Sequence, residues 1–245
     1  MGRAQSHVVG VALLLGLTVI ALGGLTVGIG TVVESQAASA DASAVASGFD
    51  AALDATATHG HHTHRVTFAR GRIETVERTL RIRRDGATVA SRAVGGLVFE
   101  SGRRRVGYVA GAVVRGHRED AWLVTEPPVT AADRPGVLVV GAPRIAADAG
   151  VAGTGGVTVA VSTNVSHARI DLGRGRFTVA VETATPDPLA RYFERTNATV
   201  DRRDYDGDGV PSVVADYPGR RQAYLVVHDL GLAVTRSGGG GESDG

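Results

Sequence analysis

The sequence predicts an α+β protein: a long N-terminal transmembrane helix, then a mainly antiparallel, sandwich-like β domain with one short helix. Three observations predict it. Residues 8–33 form a run of 26 residues without a charge, VVGVALLLGLTVIALGGLTVGIGTVV. From Arg65 onward apolar and polar residues alternate with the period of strands, and a single helical pattern follows Asp187. The 245 residues leave room for one sizeable domain behind the apolar run.

As a helix the uncharged run is about 39 Å long, against a hydrocarbon core of roughly 30 Å. A cleavable signal peptide has a shorter apolar region behind a basic stretch, and Ala37-Ala38-Ser39-Ala40 imitates only its cleavage box. Arg3 and the α-amino group are the only cations before the run, whereas Glu34, Asp41, Asp50 and Asp54 follow it with no arginine until Arg65. The charge asymmetry predicts a single-pass cell-membrane protein with a cytoplasmic N-terminus and an extracellular C-terminal domain. Gly24 and Gly28, four residues apart, are expected to let neighbouring helices pack closely.

The opening residues Gly2-Arg3-Ala4-Gln5-Ser6-His7-Val8-Val9-Gly10-Val11 resemble the start of an archaeal type IV prepilin. The whole chain resembles pilin-like proteins of halophilic archaea, in which a helix precedes a β-rich domain. The resemblance implies a leader at residues 1–4 and cleavage by prepilin peptidase between Ala4 and Gln5. It also implies a retained helix through which pilin-like subunits pack into a filament core. A β domain of roughly 180 residues is large for a major pilin and fits a minor or accessory one.

Beyond the run, residues 34–58 are rich in Ala and Ser, and Val45, Phe49 and Leu53 recur at spacing four. That stripe predicts that the helix continues, giving a segment 5–58 that lays one apolar face on the following domain. A His-rich linker at 59–64 leads into the β domain, 65–236, and a Gly-rich tail, 237–245, has no apolar residue. Val66, Phe68, Ile73, Val76, Leu80 and Ile82 predict strands broken by a turn at Ala69-Arg70-Gly71. Further strands are expected at 96–100, 105–115, 121–125, 136–140, 156–162, 168–172, 177–183 and 223–227, with Gly173-Arg174-Gly175 as a tight connection. Asp187 as N-cap, Pro188 at the first helical position, and Leu189, Tyr192 and Phe193 on one face predict the short helix.

Composition narrows the chemistry. There is no cysteine, and all 26 basic residues are arginine, which excludes thiolate chemistry, thiolate zinc sites, Schiff bases and a P-loop lysine. Aromatics are 4% of residues, which argues against specific nucleic-acid recognition by stacking. The hydrolase motifs G-x-S-x-G and H-E-x-x-H are absent from the sequence.

Asp204-Tyr205-Asp206-Gly207-Asp208-Gly209 has the alternating carboxylates and sixth-place glycine of a calcium loop. Asp204, Asp206, Asp208 and the Val210 carbonyl are the expected ligands, with Asp216, or Asp201, replacing the missing carboxylate at the twelfth place. The same residues also read as a solvated turn. His59, His61, His62 and His64 read as a solvated linker or a transition-metal tract. Residues 65–118 hold 13 arginines against four acids, a surface for an anionic ligand or simply solvated strand faces. Asn164 and Asn197 begin N-glycosylation sequons.

These readings combine into a non-enzymatic, pilin-like surface protein, anchored or assembled through its N-terminal helix and displaying a β domain for adhesion or partner binding. The alternative is a solitary membrane-anchored binding module with a calcium-stabilised loop.

Overall fold

A computed structural model describes residues 3–54, 59–117, 120–146 and 149–237, with the backbone alone at 3–11, 24–29 and 31. Both glycine segments expected to turn the chain are instead crossed by long strands. β1 (Gly60–Val76) passes through Ala69-Arg70-Gly71 with a register shift between Phe68 and Arg70. A Cβ on Gly71 would lie 2.4 Å from the Phe99 ring, so this glycine marks a close approach of neighbouring strands. β10 (Gly150–Glu182) runs 33 residues through Gly173-Arg174-Gly175, with irregularities on either side of that segment.

β10 is the axis of the fold. Its first half pairs with β1, and β1 pairs in turn with β4 (Gly96–Ser101). From β4 the sheet continues antiparallel through β5 (Arg104–Val109), β6 (Ala112–Arg115) and β7 (Trp122–Thr125). The second half of β10 pairs with β12 (Ser212–Asp229), which lies parallel to β9 (Val137–Arg144), edged by β8 (Val129–Ala132). β2 (Thr79–Arg84) joins β10 and carries β3 (Ala87–Ala93); β11 (Thr199–Arg203) joins β12, and β13 (Ala233–Arg236) joins β10.

The expected α+β class, a helix ahead of a mainly antiparallel sandwich, is therefore corrected: the protein is mostly β, built on one large mixed sheet of 13 strands among the described residues. Two physical causes account for it. Bulges carry strands across glycines that read as breaks. Chain connectivity from β9 to β12 passes through β10 and β11 instead of a hairpin, which allows the parallel pairing.

Helix α1 (Arg3–Leu53) has 51 residues. Among the described residues, no helix is long and apolar enough to cross a membrane. This overturns the expected single-pass anchor, with the membrane localisation and topology drawn from it.

The C-terminal part of α1 lies on the sheet. Ala42, Val45, Ala46, Phe49, Ala52 and Leu53 are buried with Val66, Phe68, Phe99, Tyr108 and Val159 in one hydrophobic core. A second core gathers Leu80, Ile82, Phe177, Val179, Leu225 and Tyr217 beneath α2 (Pro186–Arg195). The N-cap of α2 is Thr185, so Asp187 falls in the first turn and pairs with Arg202. The segment expected as a His-rich linker is strand from Gly60 onward.

Candidate functional site

Period 3.6 gives α1 two unlike halves. Leu13, Leu14, Leu15, Leu17, Val19, Ile20, Leu22, Val32 and Val33 are between 57% and 73% exposed. At about 100° per residue these positions encircle the helix, so no single face covers them. From Ser39 on, polar contacts lock the helix to the sheet. The Asp41 carboxylate accepts the N–H groups of Ala69 and Arg70 at 2.9 and 3.2 Å. Arg115 donates to the Ser39 carbonyl, the Ser39 hydroxyl and the Ser43 hydroxyl. The buried Tyr108 hydroxyl donates to the Leu53 carbonyl at 3.3 Å, and burial pushes its pKa up. An anchored rod with a bare apolar shaft results.

Ala4 and Gln5, the expected cleavage pair, and the packing glycines Gly24 and Gly28 lie on the helical backbone, but their surroundings are outside the described residues. The tail beyond residue 237 is outside them as well.

The acidic loop closes the β11–β12 hairpin. Asp204 accepts backbone N–H groups from Asp206, Gly207 and Gly209 at 3.2, 2.7 and 3.0 Å, and those from Gly207 and Gly209 chiefly hold its pKa below the usual value. Asp206 receives both of its bonds from Arg81, at 2.7 and 2.6 Å, and Asp208 accepts the Val210 N–H. Asp201 pairs with Arg203 at 3.9 Å. Asp216 sits on β12 opposite Thr199 and Thr178. It is four residues beyond Ser212, about 13 Å along the strand. The structure thus keeps Asp216 out of the loop and gives its three carboxylates separate partners: backbone N–H groups for Asp204 and Asp208, Arg81 for Asp206. Among the described residues no group of three or more His, Asp or Glu is arranged to hold a metal.

Behind Asp206 lies an ion cluster not readable from sequence spacing. Glu182, 5% exposed, accepts the Thr79 N–H at 3.2 Å and stands 3.7 and 3.9 Å from the guanidinium groups of Arg78 and Arg81. Burial raises the Glu182 pKa, against the pull of Arg78. Pairing of β2 with the end of β10 brings these residues together across a hundred positions.

The histidines gather differently from expectation. His167 and His228, distant in sequence, face each other across β10 and β12 with their Nδ1 atoms 2.7 Å apart, and the His59 ring lies 4.0 Å from that of His167. Asn164 and Asn197 are exposed. Among the described residues, five arginines of 65–118 pair with carboxylates: Arg70 with Glu34, Arg72 and Arg105 with Glu100, Arg78 and Arg81 with Glu182.

Fold and surface together define a mostly β protein carried on a partly bare helical rod. The chain belongs to a family of unknown function, DUF7289, whose model matches residues 3–233. No curated protein and no solved structure matches it.

Proposed function

We propose that this protein is a non-enzymatic, pilin-like subunit that assembles through the shaft of its N-terminal helix and displays its β domain for adhesion or partner binding. The supporting observation is the apolar circumference of α1 from Leu13 to Val33, at least 57% exposed at each large apolar residue named above. A helix apolar on all sides is stable only when surrounded, and copies of the same shaft supply matching surroundings. The resemblance of residues 2–11 to a prepilin start supports the same reading, with processing between Ala4 and Gln5 by a prepilin peptidase.

Sedimentation velocity on the full chain tests it. Wild type should run as large assemblies, and Leu17→Glu/Ile20→Glu should run as single chains with the thermal melt of the β domain unchanged. A wild-type chain that sediments as a monomer contradicts the proposal.

A further inference from the structure

Three arginines without a carboxylate partner among the described residues, Arg103, Arg104 and Arg115, meet at one cavity. Gly102-Arg103 turns β4 into β5, and Arg103, Arg104, Arg105, Arg115, His117 and Trp122 line a cavity of about 120 Å³ whose wall includes Ala42 of α1. Asp120 is the only carboxylate among its lining residues. Arg103 and Arg104 have no carboxylate within ion-pair distance among the described residues. Arg105 shares Glu100 with Arg72. Arg115 is oriented by Ser39 and Ser43, all neutral acceptors, so its charge is held in place without being cancelled. Its guanidinium lies 5.4 Å from the centre of the Trp122 ring, which is 48% exposed.

We infer that this cavity binds an acidic polysaccharide, seating one sulfate or carboxylate group among the arginines with its sugar ring against Trp122. Guanidinium groups match the planar or forked oxygens of such anions through paired N–H bonds. The volume suits one anionic group, and the indole offers a flat apolar surface for a pyranose ring. A nucleic-acid strand would need a ring for each successive base. Trp122 is the only exposed Phe, Tyr or Trp among the described residues. The inference names a ligand for the displayed β domain of the reading above, and it holds per chain whether or not the chains assemble.

The test is calorimetric titration of the full chain at low salt, normalised per chain, with sulfated dextran, polygalacturonate, neutral dextran and a single-stranded oligodeoxynucleotide of matched charge. One or both acidic polysaccharides should bind and neutral dextran should not. Binding of the sulfated or the uronate polymer alone identifies which anion is seated. Arg103→Ser/Arg104→Ser should weaken binding about tenfold or more, the scale of losing charged hydrogen bonds. Trp122→Ala should weaken polysaccharide binding severalfold, and both variants should keep the wild-type melt. The inference is overturned by wild-type affinity in the double variant or in Trp122→Ala, by no binding of either acidic polymer, or by an oligonucleotide that binds as tightly. Sedimentation of the same samples reads assembly separately, so loss of one property leaves the other measurable.

Discussion

At the scale of single residues, Glu182 carries the sharpest electrostatic consequence. It is buried beside Arg78 and Arg81, whose side chains are 14% exposed, and removing the carboxylate strands the Thr79 N–H and takes from Arg78 its carboxylate partner, while Arg81 keeps Asp206. Glu182→Ala should therefore destabilise the fold by about 1–3 kcal/mol in denaturant melts, the scale of leaving a buried donor without its acceptor. Because burial raises its pKa, the folded state holds this proton more tightly than the unfolded chain does. Its contribution to stability is thus largest below the ordinary carboxylate value and declines as pH rises from there through the folded-state value. Glu182→Gln should flatten that part of the stability-versus-pH curve. Asp204 has the opposite sign, since backbone N–H groups lower its pKa; its contribution is present above the ordinary value and is lost as pH falls through the depressed one. Asp204→Ala should speed hydrogen exchange at the amides of Asp206, Gly207 and Gly209, and unchanged exchange would show that the carboxylate does not hold the loop.

At the scale of elements, the join between helix and sheet decides whether α1 is a spine or a loose tail. Phe49 is fully buried, and Phe49→Ala should cost about 3–5 kcal/mol. Gly48→Ala would place a Cβ 2.6 Å from a Val66 methyl on a stiff β-branched side chain. It should cost about 1–3 kcal/mol, visible as a lower thermal midpoint with α1 released first. That join was legible beforehand: Val45, Phe49 and Leu53 lie four apart and are buried. The strands were legible only in part. Short apolar runs located β4, β7 and β9, but glycine has two meanings. A turn and a bulge both use it, and only the neighbouring strand, as with Phe99 against Gly71, decides which. Short strands such as β8 and β11 carry too few alternating positions to stand out. The Glu182 cluster and the His167–His228 pair were illegible for another reason, because strand pairing brings distant positions together and no local spacing records it. Asp216 was misplaced by the same limit, since loop counting ignores the rise of a strand.

At the scale of the whole molecule, the two halves of α1 have different partners. One half is covered by the sheet of its own chain; the other presents apolar residues on every side. The expected membrane-spanning role does not survive the described helix; under the proposed function, copies of the same shaft would cover it. The β domain, held outward by Asp41, Arg115 and Tyr108, then carries the basic cavity at the foot of the shaft. Cryo-electron microscopy of the full-length protein after assembly tests this account most directly. It predicts filaments or bundles whose interior density is packed helices, residues 12–36 among them, with the β domains at the periphery and Trp122 facing outward. Particles no larger than one chain, or assemblies held together by β domains with the helices splayed outside, would contradict it.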